Sequence, residues 1–318
     1  MYLISNTNKQ MAIYLHNPAH NGDILVSSEI VKILVRSNPT TQFKIVPSCS
    51  SILFEELVNK NVEICQHPNI WLIDKNLGLD MNNNADIRHI NCLHDVLLSF
   101  FNGNLYINMW AFMRHHNTHC MDIRDKRDTM RILLQQIKHD YNIDLQFNCD
   151  DGRELIPSIP QYDTSFMAPF INKNKYKKTI LFFNLNGYSG QDDGRYSPNF
   201  NNNFITHLLN ENHDSRIIVI DDCVIKDPNI ISLTGDVKIE KNISGKNLVL
   251  YANICRLCDE VYFKLNGGSF FFLNKDNIRD KSTHYYLLYD NDDSNYTNII
   301  TNVFNKDIVL LGDFRKHN

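Results

Sequence analysis

The chain has 318 residues, 43% of them hydrophobic and 21% charged, enough for one large or two medium domains with cores of their own. A formal net charge of −4 and an isoelectric point near 6.3 exclude the global basic field that draws nucleic acid or anionic lipid nonspecifically. Mean hydropathy is −0.33 and no apolar run approaches the roughly 20 residues that span a bilayer, so no transmembrane segment is expected.

Eight cysteines, at Cys49, Cys65, Cys92, Cys120, Cys149, Cys223, Cys255 and Cys258, follow no compact disulfide framework. The amino end shows no basic segment leading into a long apolar core, so the expectation is a reduced, cytoplasmic protein. Asparagine is heavily used, with runs at residues 82–84 and 201–203, which reads as the bias of an AT-rich genome rather than as chemistry.

In chain order, residues 11–15 read as a strand and 23–35 as an amphipathic helix. Strand 43–46, helical stretch 51–59 and strand 62–65 follow. Further strands are expected at 71–73, 87–90 and 105–108, and a helix at 127–139. Between about 141 and 176 periodicity fades and Pro157, Pro160 and Pro169 interrupt the pattern. The alternation then restarts: strand 179–183, helix 199–209, strand 216–220, helix 246–258, strand 260–264, an apolar run at 270–273 and strand 285–289. Helix 296–304 and strand 308–311 end the series. Strands separated by helices of this length predict right-handed βαβ units and parallel sheets. The expected fold class is therefore α/β, as two Rossmann-like halves facing a cleft. An amino-terminal domain spans 1–150, a linker 151–176 and a carboxyl-terminal domain 177–318.

Between the first strand and the first helix stands His16-Asn17-Pro18-Ala19-His20-Asn21-Gly22-Asp23. A strand that breaks into a helix here puts the Asp23 carboxylate at the carboxyl edge of a sheet, where open α/β folds bind ligands. Asp23 has two readings of equal weight. It caps exposed amides at the helix start, or it takes a proton from a hydroxyl within hydrogen-bond reach. His16, His20, Asn21 and Gly22 flank it on what would be the acceptor side.

In the second half, Asn184-Leu185-Asn186-Gly187-Tyr188-Ser189-Gly190 follows a strand end, and Arg195-Tyr196-Ser197-Pro198 leads into a helix. Glycines and small polar residues let amides approach a phosphate, and Arg195 offers a bidentate guanidinium, which makes Asn186, Gly187, Ser189 and Arg195 phosphate-binding candidates. Asn266-Gly267-Gly268-Ser269 sits at another strand end, where an amide-rich turn suits a diphosphate. A surface loop and an ordinary turn are the competing readings. Neither segment is a Walker A loop or a Gly-x-Gly-x-x-Gly fingerprint, which argues against an ATPase or an ordinary dehydrogenase. His115, His116, His119 and Cys120 lack the second ligand pair of a zinc module, so no metal site is assigned. Cys255 and Cys258 read as buried thiols, Phe270 to Phe272 as core, and Trp110 as core or as the wall of an acceptor pocket.

This order of features resembles the GT-B glycosyltransferases, in particular their heptosyltransferase-like branch, glycosyltransferase family 9. Asn21-Gly22-Asp23-Ile24-Leu25-Val26-Ser27 resembles the Gly-Asp that opens the first helix there, and Ser37-Asn38-Pro39 the proline before the second strand. Gly194-Arg195-Tyr196-Ser197-Pro198 looks similar to the basic and aromatic-proline helix start of the second domain, with Arg195 at the place of a lysine. Residues 248–259, 261–264 and Asn266-Gly267-Gly268-Ser269 follow the order of helix, strand and donor loop. The resemblance implies Asp23 as catalytic base, a nucleotide-diphospho-sugar donor and a glycan, lipid or protein acceptor. It also implies metal-independent hexosyl or heptosyl transfer with inversion, and no resident cofactor. Two departures stand out: Asn266 takes the place of an Asp, and no histidine follows the Gly-Gly-Ser loop at the family's spacing. They keep open a catalytically silent nucleotide- or carbohydrate-binding protein, and an epimerase or hydrolase on the same fold.

Overall fold

The computed structural model describes residues 11–17, 20–65, 97–101, 103–115, 123–172, 174–185, 199–239, 245–264, 267–280, 282–288 and 308–311. The first sheet comprises β1 (Ala12–Asn17), β2 (Gln42–Pro47), β3 (Val62–Ile64), β4 (Leu98–Phe101) and β5 (Asn104–Asn108), in the order β3-β2-β1-β5-β4. All pairs are parallel except β4 with β5, a hairpin whose turn holds Gly103 at φ +74, a left-handed conformation that glycine adopts without strain. The described helices of this half are α1 (Asn21–Ser37), α2 (Met109–His115) and α3 (Ile123–Tyr141).

The second sheet is wholly parallel. Its strands are β6 (Lys178–Phe183), β7 (Ser215–Val219), β8 (Ile230–Ser232), β9 (Glu260–Lys264), β10 (His284–Leu288) and β11 (Ile308–Leu311), in the order β11-β10-β9-β6-β7-β8. Counted from β6 this is the doubly wound order 3-2-1-4-5-6. Its described helices are α4 (Phe200–Glu211), α5 (Gly245–Ile254) and the single turn α6 (Lys275–Arg279). Parallel strands covered on both faces must be apolar throughout, which is why Thr-Ile-Leu-Phe-Phe in β6 is a near-continuous buried run.

One core runs through both halves, from Leu15 and Ile30 to Phe183, Val261 and Phe272. A smaller cluster of Ile180, Phe182, Phe204, Leu208 and Leu288 lies under α4. Among the described residues no helix is long and apolar enough to cross a membrane.

The expected segment 51–59 is a tight 3-10 helix, Ser51–Leu57, entered through Ser50 in a left-handed conformation at φ 55. The helix expected over 246–258 ends at Ile254 and continues as a 3-10 turn, Cys255–Leu257, and the apolar run at 270–273 is also 3-10, Ser269–Leu273. Strands β4 and β8 and helices α2 and α6 were not expected. They are three to seven residues long, too short to carry a period. The expected strands at 71–73 and 87–90 and the helix at 296–304 lie outside the described residues.

The proline-rich segment is tied to both halves. On one side, Ser158 meets α1: its amide and hydroxyl donate to Glu29 Oε1 at 3.0 and 2.5 Å, and Lys32 Nζ donates to its Oγ and carbonyl at 3.1 and 3.3 Å. On the other, the Lys275 amide donates to the Pro157 carbonyl, Asn253 Nδ2 to the Pro160 carbonyl, and the Tyr162 amide to Asn253 Oδ1. Lys32 and Glu29 are both buried and 3.0 Å apart, with Glu56 3.2 Å from the same ammonium. Removing one member of such a set leaves a buried charge without compensation. Lys32→Met is therefore expected to cost about 3–5 kcal/mol in urea unfolding, and adding Glu29→Gln to recover part of that loss.

Candidate functional site

The loops at the carboxyl edges of the two sheets meet. Gly22, in the first turn of α1, lies against the backbone of Gly267: a Cβ built on Gly22 would stand 2.8 Å from both Gly267 Cα and its carbonyl oxygen, and 2.9 Å from a ring carbon of Phe270. Gly245, at the start of α5, is pressed as closely on Ser50, after β2. Ser50 Oγ in turn donates to Asn21 Oδ1. The contact depends on Gly22 more than on the Gly-Gly pair, because a Cβ on Gly267 would meet Gly22 at an ordinary 3.5 Å. Gly268 has φ −71, so no left-handed turn calls for glycine there.

Asp23 is the third residue of α1 after the exposed N-cap, His20, and its carboxylate accepts the backbone amides of His20 and of Asp23 itself. The capping reading is thus realised in the geometry. The same carboxyl sits in a crowded recess while keeping part of its surface open to solvent, and burial pushes it up to about 7, overcoming the two amides. Cys49 is close enough for the Asp23 charge to help raise its thiol, although burial is the larger cause.

Beneath them, Asn17 Nδ2 donates to Ser27 Oγ at 3.0 Å and to the Asp23 carbonyl at 3.4 Å, locking the end of β1 to α1. His16 is buried, its Nδ1 has no hydrogen-bond partner, and burial lowers it to about 4. It is a neutral group inside the sheet rather than an open cleft residue. Asn108 caps α2 through the amides of Trp110 and Ala111, both 3.0 Å from its Oδ1, and Trp110 is half-buried beside it.

In the doubly wound sheet the strand order reverses between β6 and β9, and such folds bind ligands in the crevice outside that point. β6 ends at Phe183 and β9 at Lys264, so the two strands that flank the crevice are the ones after which the expected phosphate segments follow in sequence. Asn186, Gly187, Ser189, Arg195 and Asn266 lie outside the described residues, as do residues 116–120 of the His-Cys stretch. Gly267 and Gly268 are half-buried and Ser269 is buried. Among the described residues no group of three His, Cys, Asp or Glu side chains gathers as metal ligands. Cys255 and Cys258 are buried thiols.

Three residues at the same edge were not singled out from the sequence. Asn184 bridges β6 to the chain after β7, donating to the Asp221 carbonyl at 3.0 Å and accepting the Asp221 amide at 2.8 Å. Asp221 thus stands past the second strand of the doubly wound order, where such folds place the carboxylate that meets a ribose hydroxyl. Lys264 ends β9 and is buried. A polar residue closing an apolar strand was the available signal.

No family model and no curated protein matches the chain. Among solved structures, it is similar to a glycosyl transferase of family 9 from Veillonella parvula at 10% identity and a TM-score of 0.48, covering 95% of this chain and 87% of that one. It is also similar to the Escherichia coli ADP-heptose lipopolysaccharide heptosyltransferase II, at 10% identity and a TM-score of 0.44, covering 95% and 90% of the two chains. A third is the Escherichia coli heptosyltransferase WaaC with ADP, at 11% identity and a TM-score of 0.42, covering 95% and 93%. These are likenesses in the course of the chain; the chemistry rests on the residues above.

The two shifted groups make opposite contributions to stability. Asp23 rises from 3.8 to about 7 on folding, so it destabilises the folded state above pH 7, and stability is regained as pH falls through 7 towards 3.8. His16 falls from 6.5 to about 4, so stability is lost as pH falls from 6.5 towards 4. The slopes offset each other between those limits. Asp23→Asn is expected to match wild type near pH 4, to exceed it at pH 8, and to gain stability with pH between 4 and 6.5. Thermal unfolding across pH checks this, and identical profiles for both proteins would contradict it.

Proposed function

We propose that the protein is a glycosyltransferase that moves a sugar from a nucleotide-diphospho-sugar to a hydroxyl acceptor, with Asp23 as general base. The observation that carries the reading is the Gly22–Gly267 contact, which brings a carboxylate of raised pKa to the carboxyl-edge loop of a doubly wound sheet. A base titrating near neutrality is matched to deprotonating a hydroxyl at working pH.

In this reading the nucleotide occupies the β6–β9 crevice, with Asp221 towards the ribose hydroxyls and the diphosphate towards Arg195 and the amides of Gly267 to Ser269. Ionised Asp23 takes the acceptor proton as the acceptor oxygen forms its bond to the anomeric carbon. The bond from that carbon to the diphosphate oxygen breaks, and the leaving diphosphate carries away the electron pair. Amides aimed at the developing charge lower the barrier without reorganising. One displacement inverts the anomeric configuration, and no step calls on a resident cofactor.

Asp23→Asn is expected to lower transfer by about 10²–10⁴-fold while nucleoside diphosphate affinity changes less than twofold. Product formation and calorimetry read the two quantities separately. Wild-type turnover is expected to rise with pH through about 7, as the carboxyl ionises. Unchanged transfer by the Asn variant would remove Asp23 from the mechanism. Nucleotide binding by wild type without transfer or donor hydrolysis would instead favour a silent binding protein, the reading that Asn266 supports.

A further inference from the structure

Ser50 departs from the local preference of its position. It is the N-cap of the 3-10 helix Ser51–Leu57, yet its backbone is left-handed, at φ 55 and ψ 32, and its hydroxyl makes no cap hydrogen bond. A serine at a helix start ordinarily has an extended backbone and turns its hydroxyl onto the amides that follow. The left-handed conformation is costly for a residue with a Cβ, and it persists where the surroundings impose it.

Those surroundings are the start of α1 on one side and the second half on the other. The Ser50 hydroxyl donates across to Asn21 Oδ1, at the first position of α1. The Ser48 amide donates to the Asn17 carbonyl at 3.0 Å, and Cys49 is close enough to Asp23 for that charge to act on its thiol, so residues 48–50 follow the chain from Asn17 to Asp23. Ser50 is itself buried, and the start of α5 presses on it: a Cβ built on Gly245 would stand 2.5 Å from Ser50 Cα and 2.7 Å from Ser50 Cβ. Three successive residues of α1 are thereby held in three ways. Asn21 is bonded to Ser50, Gly22 rests on Gly267, and the Asp23 carboxylate folds back on the amides of His20 and of Asp23. A single contact at Gly22 would set how near this turn stands to the second half and leave its rotation about the helix axis free. Neighbouring positions lie about 100° apart around a helix, so the second attachment, at Asn21, fixes that rotation.

Resting on the reading of Asp23 as general base, we infer that Ser50 is the positioning residue of that base: its hydroxyl, through Asn21, fixes the direction in which the Asp23 carboxylate faces an acceptor hydroxyl. Its contact with Gly245 ties that direction to the half in which the donor is held. Ser50 takes no part in the proton transfer and acts through Asp23.

The test uses the full chain and follows release of nucleoside diphosphate from ADP-glucose, GDP-mannose, UDP-glucose, CDP-glucose and dTDP-glucose, with water standing in for the acceptor and unfolding midpoints measured alongside. The proteins are wild type, Ser50→Ala, Ser50→Gly, Asp23→Asn and the double variant Ser50→Ala with Asp23→Asn. Both Ser50 variants are expected to lower kcat about 10–100-fold at unchanged KM. Ser50→Gly, which adopts the left-handed backbone without cost, is expected to keep the wild-type midpoint. In the Asp23→Asn background Ser50→Ala is expected to lower release no further, because the serine acts through the carboxylate. Wild-type kcat in Ser50→Gly overturns the inference and leaves the base standing. The same holds for a loss in the double variant as large as in Ser50→Ala alone, or for a fall in kcat that comes with a lowered midpoint in both Ser50 variants. Wild-type release by Asp23→Asn, or no release by wild type from any of the five donors, overturns the reading of Asp23 as base, and this inference with it.

Discussion

The backbone of Gly22 resting on that of Gly267 is the contact on which the candidate site depends. It joins the first turn of a helix in one half to the loop after a central strand in the other, at a separation that excludes a side chain on the helix residue. Asp23 is the next residue, so its distance from the carboxyl edge of the second sheet is set by backbone packing rather than by a flexible side chain. The pressing of Gly245 on Ser50 repeats the arrangement, and the Ser50–Asn21 hydrogen bond links the two contacts. A site built this way is held by rigid elements, which favours positioning of reacting groups.

The charged groups fall into two populations. Glu29 and Lys32 of α1 pair with each other, Glu56 of the 3-10 helix joins them, and the first two fasten Ser158, so these charges serve the architecture of the proline-rich segment. Asp23 and Lys264 stand at carboxyl edges of parallel strands, the positions where open α/β sheets bind ligands. Burial raises Asp23 to about 7 despite two amide hydrogen bonds, so it caps its helix and is poised near neutrality at once. The two readings of that residue were never exclusive.

His16 shows how far residue type alone can mislead. Next to a Gly-Asp turn it reads as an acceptor-side group, yet it is buried near the end of β1, and that burial keeps it neutral. Gly267 and Gly268 read as an amide-rich turn open to a phosphate, whereas the close backbone contact requires glycine at Gly22. Lys264 and Asp221 passed unnoticed because each reads as an ordinary polar residue at a strand end. Their meaning lies in which strands are neighbours. The short elements β4, β8, α2 and α6 escaped for a simpler reason, since periodicity needs more than one or two turns to register.

The sequence by itself determined the α/β class, the existence of two halves, most of the long strands and helices, and Asp23 as the acid at the first helix start. These follow from local periodicity and helix-start chemistry, which a linear reading contains. Only the tertiary structure decided that β6 and β9 flank the point of reversal, that the Gly-Asp turn touches the Gly-Gly loop, and that Asp23 titrates near neutrality. Strand order, backbone contact and desolvation all arise between residues far apart in the chain, and a local pattern does not encode them.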